Sequence, residues 1–407
     1  MVACWARIVG RAAIVGAVVL WLGACEKKLP PEAPPALVLG AVEFKDLPGW
    51  AEDDVAAAVP ALLRSCARLT ARGKKRNESE GPRPRGARAL AGGAADWRAP
   101  CAAVEAAKDQ GAAAARAAIE AWFVPFRARD GRADSGLVTG YYEAELKGAL
   151  FPGAQYSYPI YGLPKDLVVA NLGRFDPALA GRRIVGRVDG GRLRPYSTRD
   201  DIEDGALGGR NLELLWADDP VDVFVLHIQG SGRVRFPDGS TRRIGFAASN
   251  GRAFTGIGRI LLDEGKVAPG HASMQEIRAW LRAHPREAAR FMRRNARYIF
   301  FRWIDGDGPI GAHGVALTAG RSLAVDPAFV PFGLPVYLDT TWPGEKRPLR
   351  RLMVAQDAGA AIKGPLRADF FWGTGEAALE YAGRMKQRAR FFILLPKAIA
   401  ARRAATS

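Results

Sequence analysis

One stretch near the C-terminus, residues 351–373, constrains the fold more than any other part of the chain. Apolar runs in it alternate with turns rich in glycine and small residues, which predicts short buried strands joined by tight turns. Two carboxylates, Asp357 and Asp369, stand where such runs meet the turns, and Phe-Phe-Trp follows the second. A carboxyl group held against an apolar wall has a raised pKa, which suits a proton donor. The alternative is that both aspartates only cap turns.

The glycine and proline content agrees with a fold of many short strands. The 407 residues include 46 Gly and 27 Pro, and 48% are hydrophobic, which is enough for the cores of two to three domains. The formal charge of +17 would suit an anionic polymer or an anionic lipid surface. Most basic residues are arginines scattered through an Ala/Arg/Gly-rich background, without a recognisable nucleic-acid-binding motif. We therefore expect no nucleic-acid partner.

The first 25 residues resemble a bacterial lipoprotein signal. Two arginines precede an apolar run at residues 12–24, which is too short to cross a membrane comfortably. Small residues come directly before Cys25, and in signals of this type the cysteine is lipidated after cleavage. We predict a signal peptide at residues 1–24; the alternative is an ordinary signal peptide with an incidental cysteine. Because Glu26 is not the aspartate that favours inner-membrane retention, we expect the periplasmic face of the outer membrane.

Two cysteines remain after Cys4 leaves with the signal and Cys25 is lipidated. In an oxidising compartment Cys66 and Cys101 are predicted to form a disulfide, although two free buried thiols are the alternative. Between them lies a basic segment, residues 72–95, which lacks apolar periodicity and is predicted to be a mobile insertion.

The order of predicted elements is helices, strands, helices and strands again. A Pro-rich tether at residues 25–40 precedes a helix at residues 47–69 that Pro60 kinks or divides. A second helix is predicted at residues 101–126, and residues 398–407 are predicted to be a frayed tail. We predict strands over residues 137–143, 168–171, 183–189, 193–196, 220–232, 234–236, 241–246, 324–326, 335–338, 352–356 and 390–395. Further helices are predicted over residues 253–264, 273–283 and 285–295. This order favours two barrel-like β domains with peripheral helices.

Two polar motifs stand beside predicted strands. Residues 229–232, Gln-Gly-Ser-Gly, can offer hydrogen bonds to sugar hydroxyls, or they form only a β-turn. Residues 139–143 place two tyrosines on opposite faces of a strand, so that one can stack on a sugar ring while the other joins the core. The alternative is that both are core residues. No histidine, cysteine or acidic cluster has the spacing of zinc ligands, and no phosphate-binding loop is present, so we expect no metal and no cofactor.

Together these motifs resemble the membrane-bound lytic murein transglycosylase A family, MltA. The resemblance runs from about Gly136 to Pro396 and its C-terminal part is similar to the 3D domain, which is named for three aspartates. The matching residues are Thr139-Gly140-Tyr141-Tyr142, Gln229-Gly230-Ser231-Gly232, Ala248-Ser249-Asn250-Gly251, residues 295–301, Asp326, Asp357 and Asp369. The basic insertion and the region before about residue 130 match no motif of the family, and residues 360–361 are Ala-Ala where relatives often have glycine.

The resemblance implies a mainly β fold with peripheral helices and two domains. A discontinuous double-psi β-barrel, the 3D domain, would take residues 41–138 and 300–397, with the N-terminal helices. A second β-barrel domain would be inserted at residues 139–299, and a glycan strand would bind in a groove between the two.

The resemblance also implies a reaction. It is the non-hydrolytic cleavage of the β-1,4 bond between N-acetylmuramic acid and N-acetylglucosamine, in which the C6 hydroxyl attacks C1 and leaves a 1,6-anhydro end. The last aspartate of the trio, Asp369, would be the catalytic acid, while Asp357 and Asp326 would shape and polarise the site. The residues expected to bind substrate are Tyr141, Tyr142, Gln229, Gly230, Ser231, Gly232, Lys363 and Trp372.

Two other functions remain open at the level of the sequence. A hydrolytic muramidase on the same fold would need a second carboxylate to activate water, for which Asp357 is the candidate. A non-catalytic peptidoglycan-binding lipoprotein would keep the groove but would need no acid. The expected partners are peptidoglycan glycan strands, the lipid anchor and other wall-remodelling proteins, and the chain is expected to be a monomer.

Overall fold

The computed structural model describes residues 35–71, 85–131, 133–306 and 308–405. The predicted signal peptide, the lipidation site Cys25 and most of the tether lie outside these residues, as do positions 72–84 of the basic insertion. Within the described ranges no helix is both long enough and apolar enough to span a membrane.

The described part of the chain is mainly β-sheet with helices. Its strands are β1 Leu37–Ala41, β2 Phe123–Asp130, β3 Gly136–Ala149, β4 Tyr158–Tyr161, β5 Val168–Asn171, β6 Arg183–Asp189, β7 Arg192–Pro195, β8 Glu213–Ala217, β9 Ser231–Arg235, β10 Thr241–Ser249, β11 Ile299–Ile304, β12 Ser322–Val325, β13 Pro335–Thr341, β14 Pro348–Asp357, β15 Arg367–Thr374 and β16 Lys386–Pro396. Its α-helices are α1 Val59–Leu69, α2 Arg85–Ala91, α3 Ala94–Ala107, α4 Gly111–Trp122, α5 Arg199–Asp201, α6 Pro220–Gln229, α7 Ile257–Asp263, α8 Met274–Ala283, α9 Pro285–Arg293, α10 Gly375–Arg384 and α11 Lys397–Ala404.

Six strands form a set in which each pairs with two others. The pairs are β16–β13, β13–β14, β14–β12, β12–β15, β15–β3 and β3–β16, of which β12–β14 and β15–β3 are parallel. Apolar side chains of these strands pack into one core with the N-terminal helices, and fully buried members include Val138, Leu323, Leu352, Val354, Phe370 and Leu394. We call this group the six paired strands.

Strand β3 joins the six paired strands to a second region of sheet. Its first half pairs with β15 and β16, and its second half pairs with β9 and β8. β9 continues through β10 to β11, and a second core lies under these strands around Tyr142, Leu146, Val234, Ile244 and Phe301. The structure extends this strand to Ala149, six residues beyond its predicted end, so one strand runs through both regions.

The N-terminal segment, which runs from β1 to α1, is attached to the six paired strands through buried polar contacts. Arg321 donates to both carboxylate oxygens of Asp53 at 3.0 and 3.1 Å, and Asp53 also accepts from the backbone N of Leu352 at 2.7 Å. Gln356 donates to the Ala61 carbonyl and to Ser65 on α1. The predicted helix at residues 47–69 is α-helical only from Val59, because turns and a 3₁₀ turn precede Pro60, which lies in the first turn of α1.

A disulfide joins α1 to α3. It links Cys66 with Cys101, the pair that the sequence predicted. The predicted single helix at residues 101–126 is wrong: α3 ends at Ala107, α4 begins at Gly111, and β2 begins at Phe123. Gly111 has a φ of +86°, which breaks the helix, and the apolar end of the segment pairs with β16 as a strand.

The predicted buried strand at residues 220–232 is instead helix α6. Asp219 caps its N-terminus by accepting from the Val221 N–H at 2.7 Å, Pro220 occupies the first turn, and Gly230 ends it with a φ of +80°. Six of its ten residues are buried, so its sequence shows no amphipathic period that would separate helix from strand.

The predicted frayed tail is also wrong. Residues 397–404 form α11, whose Ile399 is 1% exposed and packs into the first core.

Candidate active site

Asp369 lies in the middle of β15, where its neighbours come from two other strands. It stands opposite Ala324 of β12 and Thr139 of β3. The Thr139 hydroxyl donates to Asp369 Oδ1, and Arg367 Nη1 donates to the same oxygen at 3.0 Å. Arg367 Nη2 also donates to Thr139 Oγ1 at 2.7 Å. The side chain of Asp369 is 19% exposed, so its position is fixed while one side remains open to a ligand.

The pKa of Asp369 is set by two opposing effects. Burial raises the pKa of this carboxyl, and the charge and hydrogen bond of Arg367 lower it. Burial is the larger effect, so the pKa lies above the ordinary value for aspartate. The acid therefore keeps its proton to higher pH than an exposed aspartate does.

Asp357 is the last residue of β14 and the second carboxylate of the site. Its Oδ1 accepts from the backbone N–H groups of Ala312 at 2.8 Å and Ala358 at 2.9 Å. Burial raises its pKa to about 6, against the lowering effect of these hydrogen bonds, and the negative charge of Asp369 raises it further. The charge of Asp369 therefore affects the protonation of Asp357.

Tyr141 lies on the same face of β3 as Thr139 and reaches both acids. Its ring packs against Phe371 with the ring centroids 5.1 Å apart. Burial raises the pKa of its phenol most, and the charges of Asp357 and then Asp369 raise it further. The hydroxyl is buried and lies beside the Asp357 carboxyl, and a hydrogen bond between the two groups raises the pKa of Tyr141 and lowers that of Asp357.

Asp326 holds a turn and lies apart from this hydrogen-bond network. Its carboxylate accepts from the backbone N–H groups of Gly364 at 2.9 Å and Ala328 at 3.1 Å. The side chain is 6% exposed. Through Gly364 it fixes the turn that carries Lys363, whose side chain is exposed to solvent.

Trp372 lies on the opposite face of β15 from Asp369. Successive strand residues point to opposite faces, and Trp372 packs with Phe370, whose centroid is 4.5 Å away, rather than with Phe371. Its ring also stacks on Tyr381, with the centroids 4.8 Å apart. The structure therefore does not bring this tryptophan to the acid, and a substrate contact for it stays a prediction.

The Gln229 motif connects α6 and β9 to β3 near Tyr141. Gln229 Oε1 accepts from the backbone N of Tyr142 at 3.2 Å, and Gly232 pairs with Ala144. Tyr142 itself is 4% exposed and belongs to the second core. A cavity of about 300 Å³ adjoins the motif, and its lining includes Thr139, Gly140, Tyr142, Gln229, Met274 and Lys386.

Arg367 and Thr139 are partners of the acid that were not predicted from the sequence. Arg367 stands two positions before Asp369 on a strand, so the period of two places both on one face, and this was the available indication. Arginine is so frequent in the chain that its presence at one position indicates little by itself. In the ranges that the structure covers, no cluster of histidine, cysteine or acidic residues could hold a metal ion.

Comparison with known families matches two segments of the chain. A family model described as the MltA specific insert domain matches residues 137–302, and the 3D domain model matches residues 321–395. The membrane-bound lytic murein transglycosylase A of Vibrio cholerae is 29% identical over 267 residues, which are 63% of this chain and 65% of the relative. The chain thus aligns with slightly less than two thirds of that curated relative.

Solved structures extend the similarity. The membrane-bound lytic murein transglycosylase from Agrobacterium tumefaciens is 39% identical, with a TM-score of 0.77 and coverage of 89% of this chain and 99% of that one. MltA from Neisseria gonorrhoeae is 34% identical, with a TM-score of 0.73 and coverage of 90% and 96%. Together the two domain models and these relatives show that the chain belongs to the MltA family.

Proposed function

We propose that this chain is a peptidoglycan lytic transglycosylase. It cleaves the β-1,4 bond between N-acetylmuramic acid and N-acetylglucosamine and leaves a 1,6-anhydro end. The observation that carries the proposal is the single acid Asp369, which has a raised pKa and is held on one side by Arg367 and Thr139. Membership of the MltA family, whose relatives bear this activity in their names, supports the same conclusion.

One acid suffices for this reaction because the nucleophile belongs to the substrate. Protonated Asp369 gives its proton to the leaving oxygen, and its carboxylate then takes a proton from the C6 hydroxyl as that oxygen bonds to C1. The attack is intramolecular, so no water has to be activated. Arg367 stabilises the carboxylate that forms between the two steps.

The neighbouring groups have supporting roles in the proposal. Asp357 and the Tyr141 hydroxyl lie beside the acid, where the Tyr141 hydroxyl helps to position the Asp357 carboxyl and the Tyr141 ring can contact the sugar. Asp326 fixes the turn of Lys363, which is exposed and free to meet the glycan. Gln229, Gly230, Ser231 and Gly232 are proposed to line the same substrate path at the other side of β3.

We also propose the finer architecture that the family implies. The cyclic order of the six paired strands, with two parallel pairs, supports a double-psi β-barrel built from residues 41–138 and 300–397. Residues 139–299 then form the inserted β-barrel domain, and the glycan groove lies where β3 passes from one to the other.

The proposed location is the periplasmic face of the outer membrane. The lipoprotein-type sequence ending at Cys25 supports it, as does the word membrane-bound in the names of the relatives. The proposed partners are glycan strands and other wall-remodelling proteins; the chain acts as a monomer without a cofactor.

The alternative within enzymes is a hydrolytic muramidase. It is favoured by one observation, the second carboxylate Asp357, whose pKa of about 6 would let it act as a base above that pH. The two reactions differ by one water in the mass of their products. A non-catalytic binding protein would release no products.

The test is mass spectrometry of muropeptides released from purified sacculi. We compare the wild type with Asp369→Asn, which removes the proton donor at constant shape, and with Asp109→Asn, a control on an exposed residue. The wild type and the control should release products lighter by one water than hydrolytic muropeptides, and Asp369→Asn should release almost none, a loss of at least about 100-fold. Reducing-end products would support the muramidase instead. Equal release by Asp369→Asn and wild type would refute the assignment of the acid.

A further inference from the structure

A three-stranded antiparallel sheet, β5–β6–β7, presents an apolar face to solvent. In its register Val168 stands opposite Gly186, Ala170 opposite Ile184, and Val188 opposite Leu193. Strand residues alternate between faces, so one face carries the side chains of Val168, Ala170, Ile184, Val188, Leu193 and Pro195. Val168, Ile184, Val188 and Leu193 are 37%, 45%, 61% and 41% exposed. We call this group the apolar sheet face.

The opposite face of this sheet contacts the rest of the chain at Val185, while Val169 on the same face is 51% exposed. Val185 projects from that face and packs against Gly251, where an added Cβ would lie 2.5 Å from the Cβ of Val185. The apolar sheet face therefore points away from the segment on which the sheet rests. The Val185 face carries mostly charged side chains, including Arg187 and Arg194, whereas the apolar sheet face carries only aliphatic side chains and proline.

The surroundings of the apolar sheet face are basic. Residues 163–196 contain seven lysines and arginines and three aspartates. Arg187 and Arg194 project from the Val185 face, and both are exposed although Arg194 pairs with Asp189 at 3.3 Å. Phe175, in the connection between β5 and β6, is 80% exposed. If the apolar sheet face entered a lipid interface, these long cationic side chains could reach the level of the phosphate groups.

We propose that the apolar sheet face docks onto a phospholipid surface with anionic headgroups. The inference rests on the proposed lipid anchor at Cys25 for the nearness of a membrane. Leu37, the first residue of β1, follows Cys25 by twelve positions, which span about 40 Å when fully extended. The protein thus works within reach of the membrane, and the sheet supplies a second contact that fixes its orientation there.

Two other occupants fit the face less well. Glycan-binding surfaces combine aromatic rings with hydrogen-bonding groups, and this face carries only aliphatic side chains and proline. A second copy packed sheet to sheet would bring two arginine-rich sheets together and so oppose like charges. A lipid surface offers apolar volume and negative charge at once.

The experiment measures co-sedimentation with lipid vesicles. It uses the chain from residue 25 onward with Cys25→Ser, which removes the proposed signal and lipidation site and keeps every described residue. Vesicles of phosphatidylethanolamine with phosphatidylglycerol are compared with vesicles of phosphatidylcholine. The test variant is Val188→Asp with Leu193→Asp, and the matched control is Phe151→Asp, an apolar residue that is 80% exposed outside this sheet.

We expect binding to the anionic vesicles that weakens with added salt. The double aspartate variant should lose at least about tenfold in partitioning, while Phe151→Asp should bind like the parent. No binding by the parent chain, or equal loss in both variants, would overturn the proposal. The proposal would also be overturned if the double aspartate variant bound vesicles normally but had lost affinity for sacculi. The same holds if the parent chain formed a dimer that this variant no longer forms.

Muropeptide release from sacculi in solution separates this proposal from the proposed function. The double aspartate variant should release the same anhydro products as the parent, because it alters no residue of the candidate active site. If the parent bound vesicles but released no anhydro products, the proposed function would fail while the docking surface stood.

Discussion

Burial and Arg367 together set the pH range in which the proposed acid keeps its proton. The charge of Arg367 lowers the pKa of Asp369 against the raising effect of burial. Arg367→Met removes the charge but keeps much of the bulk, so the pKa of Asp369 should rise further. A general acid loses activity as it ionises, so the alkaline limb of the pH profile of kcat/KM should move to higher pH.

Arg367→Lys is the matched control because it keeps a positive charge at the same position. Its alkaline limb should stay close to that of the wild type. An unmoved limb in Arg367→Met would mean that the titration belongs to another group.

Asp357 makes the stability of the fold depend on pH. Its pKa lies at about 6 instead of the ordinary 3.8. Between these values the folded state holds a proton that the unfolded chain releases, so the free energy of unfolding falls as pH rises. The full cost above this window is at most about 3 kcal/mol, from about 1.4 kcal/mol per pKa unit.

Asp357→Asn should therefore become more stable relative to wild type as pH rises. Its amide oxygen can still accept from Ala312 and Ala358, but it cannot ionise. Urea unfolding at about pH 4 and about pH 8 should show the difference growing by about 1–3 kcal/mol in favour of the variant. Asp109→Asn, on an exposed residue, should show no such trend. A constant difference for Asp357→Asn would mean that this carboxyl titrates normally.

The residues of the site were only partly predictable from sequence. Motif order identified Asp357 and Asp369, but Trp372 was expected beside the acid because it is close in sequence. The period of two along β15 sends it to the other face, where it packs with Tyr381. The hydroxyl of Thr139 could not be assigned to the acid because 230 positions separate the two, and only the β15–β3 pairing brings them together.

At the scale of elements, the two glycines that follow α6 serve different purposes. Gly230 needs a positive φ of +80°, and a Cβ there would meet nothing within 4 Å. A Cβ on Gly232 would lie 2.6 Å from Leu226 Cδ1 and 3.0 Å from the carbonyl O of Ala144. Gly230→Ala should cost about 1 kcal/mol through backbone strain. Gly232→Ala should cost about 2–3 kcal/mol, because β9 must move away from β3.

Urea midpoints of the two variants check this order. A larger loss of stability in Gly230→Ala than in Gly232→Ala, or equal losses, would show that the Gln229 motif is not held by close packing between α6 and β3. The prediction matters for function because the proposed glycan contacts of Gln229 depend on the same packing of α6 and β9 against β3.

The disulfide should stabilise the N-terminal helices without serving the reaction. It closes a loop with a sequence separation of 35, which corresponds to about 4 kcal/mol in the chain-entropy account. Cys66→Ser with Cys101→Ser should lower the thermal midpoint and leave the products from sacculi unchanged. The reduced wild type should show the same midpoint as the variant. Altered products from the double serine variant would mean that the disulfide also affects the reaction.

Element types were predictable where the sequence has a clear period. Strands β5 and β6 have the predicted bounds, and α8 begins one residue after its predicted start, because Ser273 is its N-cap. Helix α6 was predicted as a strand because it is apolar on nearly all sides. A helix that is buried on every side lacks the apolar period that identifies an amphipathic helix. The capping residues of α6, Asp219, Pro220 and Gly230, are visible in the sequence and are typical of the two ends of a helix.

At the scale of the whole molecule, the N-terminal segment and the 3D domain form one structural unit through Asp53 and Arg321. Both side chains are buried, and they bridge 268 positions of sequence. Arg321 also donates to the carbonyl groups of Asp54 and Leu352. No sequence pattern predicted this pair, because its members belong to segments that no motif connects.

Arg321→Met should destabilise the chain by about 3–5 kcal/mol, because it leaves the Asp53 carboxylate buried without its cation. Adding Asp53→Asn should restore part of the loss, since the remaining amide carries no charge. The matched control is Arg259→Met, which breaks an exposed pair with Asp263 and should cost less than about 1 kcal/mol. Urea unfolding followed by tryptophan fluorescence measures all three, and a single transition should persist. If Arg321→Met were as mild as Arg259→Met, or if the N-terminal segment unfolded separately in the wild type, the segment would be an appendage of the 3D domain and not part of its core.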